Sequence, residues 1–154
     1  MNVKLWKGSR NDLSDPIGTI MENRGVEDYK TYMNLDDSCL NSPWMLDNME
    51  DAVRLLNKHI WNKSIISILV DCDVDGFTSA SMMFQYLKTI GYFGKINVLH
   101  HSGKEHGLSK EIEVPPETTL LIIPDAGSND VEQCKELRDN GIDILILDHH
   151  ICDR

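Results

Sequence analysis

The stretch LVDCDVDGFTSASMM, residues 69–83, runs an apolar segment straight into three aspartates two residues apart, Asp71, Asp73 and Asp75, with Gly76 directly behind them. Like charges crowded together raise one another's pKa and cost stability unless something positive sits between them. A divalent cation resolves that conflict. The test for the rest of the chain is whether other segments bring further ligands to the same point.

Outward from this turn the chain alternates regularly. Upstream, Asp47 with Glu50 three residues on reads as a capping box, and Met49, Ala52, Val53, Leu56 and Ile60 follow at helical spacing, which predicts a helix over 48–61. IISILV (65–70) reads as a strand and FTSASMMFQYLKTI (77–90) as a helix stopped by Gly91, with Met82, Met83, Phe84 and Leu87 as its core cluster. KINVLHH (95–101) and TLLII (119–123) read as strands. Asn129 is placed to cap a helix ending near Gly141, and IDILIL (142–147) is the last strand. Continuous apolar strands separated by helices give an α/β fold class, a parallel sheet with helices on both faces.

Residues 1–46 differ in character. They are polar, punctuated by Gly8, Pro16, Gly18, Gly25 and Pro43, with a helical suggestion only around GVEDYKTYM (25–33). They read as a mostly irregular and helical N-terminal arm or cap, and 47–154 as the domain proper. A length of 154 residues at 41% hydrophobic allows one compact core and is short for two. The four cysteines, Cys39, Cys72, Cys134 and Cys152, form no CxxC pair, and neither a secretory signal nor an apolar run of membrane-spanning length is present. The expectation is a cytoplasmic chain with reduced thiols and no membrane partner, Cys152 being a small buried hydrophobe.

The net charge of −10 argues against a broad basic nucleic-acid surface. The excess is uneven: residues 63–154 carry fifteen acids against eight basic residues. Five of those acids are candidates for one site, where bound cations would offset much of the charge.

In open parallel sheets the ligand site lies beyond the carboxyl ends of the strands. Asp71, Asp73 and Asp75 follow the first strand, Asp125 the third, and Asp148, His149 and His150 the fourth; His100 and His101 end the second, before the loop SGKEHGLS. Carboxylates with one or two imidazoles suit Mn²⁺ or Mg²⁺, and a bridging aspartate can hold two such ions close together. Two ions would activate a water and stabilise a leaving oxygen, which is phosphoester hydrolysis. Each residue also has a plainer use: strand-end aspartates cap helices, and a single histidine is often structural.

DCDVDGFTS (71–79), PDAGS (124–128) and LDHH (147–150) resemble motifs I, II and III of the DHH phosphoesterase family. The order NRGVEDYKTYMN, SPWMLDNMEDAVRLL and then motif I is similar to the RecJ type of single-stranded-DNA-specific 5′-to-3′ exonuclease. The resemblance implies that Asp73, Asp75, Asp125 and His149 ligate metal, with Asp125 bridging two Mn²⁺ or Mg²⁺ ions. It places Asp71 and Asp148 close by, Asp148 orienting His149, and makes His150 the phosphate-contacting histidine. The nucleophile it implies is an activated water.

Two departures accompany the resemblance. Where RecJ-like proteins carry an arginine and then Gly-Tyr-Gly, this chain offers His101, Glu105, His106 and Gly107, so that His101, His106 and Gly107 become the substrate-binding candidates. The chain also stops four residues after His150, before a fourth motif and the C-terminal nucleic-acid-binding domain that the family has. The expectation is weak or absent activity for this chain alone, with single-stranded DNA, or short RNA or a nucleotide, as substrate. Its last strand would keep an open edge for a missing domain or for self-association. The alternatives are a DHH-type phosphodiesterase for cyclic dinucleotides or oligoribonucleotides, a haloacid-dehalogenase-like phosphatase with Asp73 as nucleophile, a receiver-like module, or a non-catalytic remnant.

Overall fold

The computed structural model describes Gly8, residues 10–109 and residues 111–152. The chain divides into two compact units between Met45 and Leu46.

The first unit is more helical than its composition suggests. Asp15 caps helix α1 (Pro16–Asn23) by accepting the Gly18 N–H, and Pro16 occupies the first helical position, where a missing N–H costs nothing. Arg10 ties this helix to the preceding chain: its guanidinium reaches Glu22 at 2.7 Å, Asp15 at 3.1 Å and Asp12 at 3.2 Å. Helix α2 (Tyr29–Met33) is capped by Asp28, and two short 3₁₀ turns follow at Asp37–Cys39 and Pro43–Met45. Among the described residues of this unit only Gly18 is buried.

The second unit is a four-stranded, wholly parallel sheet in the order β2-β1-β3-β4, with β1 at Ile66–Val70, β2 at Ile96–His100, β3 at Leu120–Pro124 and β4 at Asp143–Leu147. Helix α3 (Met49–Trp61) precedes β1, α4 (Val74–Thr89) joins β1 to β2, and α5 (Val131–Asp139) joins β3 to β4. Strand alternation sorts the core into two layers. Ile66, Ile68, Val70, Leu120, Ile122 and Leu145 face α3 and α4, while Leu69, Leu121, Ile123, Ile144 and Ile146 face α5 and the long segment after β2. Helices therefore cover both faces, as the continuous apolar strands require. All five residues of β1 and of β3 are buried.

Several local readings need correction. Helix α3 has no capping box: its N-cap is Asn48, in the left-handed region at φ 60°, and no side chain caps it. Its buried stripe runs through Ala52, Leu55, Leu56, His59 and Ile60, leaving Val53 exposed. His59 completes that stripe because Asp143, the first residue of β4, meets its Nε2 at 2.9 Å and is held also by Lys58 at 2.8 Å. These two partners, Lys58 first, hold the Asp143 carboxyl below its usual range. Asp130 rather than Asn129 is the N-cap of α5. Helix α4 begins three residues earlier than the apolar pattern indicates, because Asp73 caps it. Leu87 is wholly buried and Met83 and Phe84 pack beside it, but Met82 is exposed.

The start of α4 fixes the geometry of the acidic turn. A Cβ at Gly76 would lie 2.6 Å from the Asp71 Cβ and 2.8 Å from the Asp71 carbonyl oxygen, so only glycine lets the helix come this close to the end of β1. Gly76→Ala is expected to lower stability by about 1–3 kcal/mol through overpacking. Urea denaturation would measure it, and an unchanged midpoint would remove the close approach from the argument.

Candidate metal centre

The strand order places the chemistry. The chain leaves β1 towards β2 on one side and β3 towards β4 on the other, so a crevice opens between the carboxyl ends of β1 and β3, where α/β sheets bind ligands. Asp71, Asp73 and Asp75 border it from β1 and α4, Asp125 from β3, and Asp148, His149 and His150 from β4.

Asp125 is the centre of this arrangement. It follows β3 in the left-handed region, at φ 73°, where aspartate and asparagine are among the few non-glycine residues tolerated. Its N–H donates to the Leu147 carbonyl at 2.7 Å, which locks the turn onto the end of β4. The residue is only 6% exposed. Its Oδ1 meets His149 Nε2 at 3.1 Å, and the same nitrogen lies 3.9 Å from Asp75 Oδ2. Its Oδ2 is buried and has no hydrogen-bond partner among the described residues. Burial, and then the charges of Asp75 and Asp73, push this carboxyl above its ordinary pKa, with His149 and His150 opposing the rise.

Two donor groups share that carboxylate. Ligand atoms from Asp73, Asp75 and Asp125 all lie within 4.8 Å of one another, and so do ligand atoms from Asp125, His149 and His150. An orphaned buried carboxylate oxygen between a set of acids and a pair of imidazoles fits a hard or borderline divalent cation. Asp73 contributes while also capping α4: its Oδ1 accepts the Gly76 N–H at 3.1 Å, the main reason its carboxyl stays below the usual range.

The remaining candidates sort into two aspartate–histidine pairs. Asp148 Oδ1 accepts from His150, at 3.0 Å from the backbone N–H and 2.7 Å from Nδ1, and Oδ2 accepts the Ser128 N–H at 3.0 Å. Asp148 thus orients His150 and not His149, because its Oδ1 also accepts the His150 N–H two residues on, an Asx-type turn beyond the end of β4. Burial opposes ionisation of Asp148, but the bonds from His150 and Ser128 outweigh it and hold the carboxyl far down; the same contact raises His150. Asp71, 1% exposed, is turned to the loop after β2: Oδ2 meets His106 Nδ1 at 2.6 Å and Oδ1 accepts the Gly107 N–H at 3.1 Å. That hydrogen bond and the Asp71 charge raise His106. Asp71, His106, Gly107, Asp148 and His150 line one cleft with the Gly127–Asp130 turn.

His101 does not line this cleft, and both its ring nitrogens are buried without a hydrogen-bond partner among the described residues. Cys152 is exposed, not buried. Two participants escape a reading of strand ends. The Ser128 amide is positioned only by the turn through Gly127, at φ 100°. Cys72 lies between two acids, and only the folded loop shows that its sulfur meets His106.

Comparison with known proteins identifies the family and the fold. The model of the DHH family, N-terminal domain, matches residues 65–154. A protein of Bacillus subtilis strain 168, YorK, named as an SPbeta prophage-derived single-strand DNA-specific exonuclease, is 40% identical over 140 residues, covering 91% of this chain and 24% of the relative. The single-stranded-DNA-specific exonuclease RecJ of Haemophilus influenzae is 29% identical over 151 residues, covering 88% of this chain and 26% of its own length. A crystal structure of exonuclease RecJ bound to manganese superposes with a TM-score of 0.57 at 21% identity, over 71% of this chain and 29% of that one. The chain therefore spans about a quarter of the length of these two relatives.

In the metal-free chain Asp125→Asn keeps the left-handed backbone and removes the buried charge, and is expected to raise the melting temperature by roughly 2–4 °C, about 1 kcal/mol. The sign follows from the raised carboxyl. The unfolded chain ionises first, near pH 3.9, so the wild type loses stability as pH rises from there through the folded value, and the advantage of the variant grows and then levels off. Scanning calorimetry from pH 3 to 7, in chelator, checks this; a variant less stable than wild type at neutral pH contradicts it.

Proposed function

As the chain belongs to the DHH family, we propose that it carries the metal-binding part of a single-strand-specific 5′-to-3′ exonuclease, a phosphodiester hydrolase of the RecJ type. The buried, unpartnered Oδ2 of Asp125 carries the reading, since a structural aspartate in that place would have had its second oxygen satisfied by the protein. Asp73, Asp75, Asp125 and His149 are the proposed ligands of Mn²⁺ or Mg²⁺, two ions in the complete site, with Asp125 between them. When bound, such ions supply the Lewis acidity that activates a water and neutralises charge on a phosphoryl oxygen.

The chain's own residues do the rest. His150, clamped through Nδ1 by a buried carboxylate and with its ring tilted against that of His149 at 4.7 Å between centroids, keeps its ring in a fixed place where it can donate to a non-bridging phosphate oxygen. His106, clamped in the same way by Asp71, faces the same cleft from the other side with Gly107 beside it. Two imidazoles at the rim of an acidic centre, each shifted by its aspartate toward the protonated form, give a phosphate a place to bind in a chain of net charge −10. Single-stranded DNA is the proposed substrate, on the strength of what YorK and RecJ are named for. Among the described residues no helix is long and apolar enough to cross a membrane. The four cysteines are unpaired, which supports a reducing cytoplasmic setting. The domain from residue 47 onward is proposed to be the hydrolytic unit.

The test is release of mononucleotides from single-stranded oligomers labelled at either end, with Mn²⁺ added. Expected is release from the 5′ end that is weak for this chain alone, stops with chelator, and falls by at least about a hundredfold in His149→Ala and Asp125→Asn, the scale of removing one electrostatic stabiliser from a transition state. Release that persists in either variant, or without divalent cation, refutes the assignment.

A further inference from the structure

One donor set beside the proposed centre is left unused by it. Asp71 and Cys72 directly follow β1, and the loop after β2 folds His106 back over both. Cys72 Sγ lies 3.5 Å from His106 Nε2 and 3.6 Å from Nδ1, and Asp71 Oδ2 lies 2.6 Å from Nδ1. Ligand atoms of the three side chains all fall within 4.8 Å of one another. The set is fixed on one side, by the Gly107 amide on the second Asp71 oxygen, and open on the other, where the His106 side chain is 61% exposed.

Its chemistry differs from that of the Asp125 centre. Thiolate, imidazole and carboxylate form a donor set for a borderline cation, and three protein ligands with an open fourth position are a common zinc arrangement. Mg²⁺ and Mn²⁺ prefer oxygen and gain nothing from the sulfur. Tetrahedral zinc with Zn–S of about 2.3 Å and Zn–N of about 2.0–2.1 Å holds S and N roughly 3.6 Å apart, which matches the observed sulfur–imidazole spacing. The Asp71–His106 hydrogen bond would have to open by roughly 0.8 Å to reach ligand spacing, a movement the exposed ring permits. Burial and the neighbouring Asp71 and Asp73 charges push the Cys72 thiol up, so without a cation it is a thiol and not a reactive thiolate.

We propose that Asp71, Cys72 and His106 form a second, softer cation site that binds Zn²⁺, separate in its donors from the carboxylate centre. A cation there fastens the loop carrying His106 to the end of β1 and takes His106 out of the cleft, so Zn²⁺ acts as an inhibitor of the hydrolysis. The inhibitory step rests on the exonuclease reading; the binding does not.

Co²⁺ reports thiolate ligation by a charge-transfer band in the near ultraviolet. The experiment titrates Co²⁺ into the reduced 154-residue chain with excess Mg²⁺ present, then adds Zn²⁺. Expected is a band that saturates at one equivalent, is bleached by stoichiometric Zn²⁺, and survives in Cys152→Ser and Asp125→Asn. It is lost in Cys72→Ser, and the affinity falls at least about tenfold in His106→Ala. No band in the wild type, or a band unchanged in Cys72→Ser, overturns the site. If the band behaves as expected but Zn²⁺ inhibits nucleotide release equally in wild type and Cys72→Ser, the inhibitory step falls and the binding site stands.

Discussion

A carboxylate that the protein itself does not finish satisfying is the constraint around which this sheet is arranged. Asp125 stacks two costs on one residue. Leaving a buried acceptor unmade costs about 1–3 kcal/mol, and a non-glycine residue in the left-handed region costs of order 1–3 kcal/mol more. Such a residue persists only where its surroundings over-determine it. Here β3, like β1, has a neighbour on each side and five buried residues, and the Asp125 N–H is tied to the last carbonyl of β4. The sheet register, Pro124 opposite Leu147, carries the turn after β3 to the same height as the DHH segment after β4.

Period and spacing made the sheet legible, and for a physical reason. Strands buried on both faces must be apolar at every position, so IISILV and TLLII stand out without alignment, and a residue two past the end of each falls at the crevice by topology alone. Local hydrogen bonding was harder to read. Asp47 and Glu50 have the capping-box types, yet the helix starts from Asn48 in a conformation that uses neither. The stripe of α3 was read through Val53 because histidine is polar in any scale, whereas His59 is buried by virtue of Asp143, more than eighty residues away. Helix α1 was legible in principle: Asp15 followed by Pro16 is an N-cap and a first helical position, a signal that the surrounding glycines obscured.

The site shows the same division. Which residues reach the crevice followed from strand ends. Which partner each one takes did not, because partners come from turns. Asp148 turns to His150 because its Oδ1 also accepts the His150 N–H in an Asx-type turn, and its other oxygen is met by an amide that exists in the right place only through the turn at Gly127. Asp71 was placed only close by, and its two oxygens hold the loop of His106.

The five acids of the crevice are therefore not equivalent, and the difference bears on where positive charge is needed. Asp71 and Asp148 are each met by one backbone amide and one imidazole, so their charge is compensated by the protein. Asp73 is half engaged, one oxygen on the Gly76 amide. Asp75 has the long contact to His149 and shares a hydrogen bond with Asp73, and the Asp125 carboxylate is met at hydrogen-bond distance by the same histidine. Uncompensated charge thus gathers at Asp75, Asp125 and the free side of Asp73, and one histidine cannot neutralise three carboxylates. The residue types alone would distribute the proposed cation over all five; the hydrogen bonds favour the side on which Asp125 Oδ2 has no partner among the described residues.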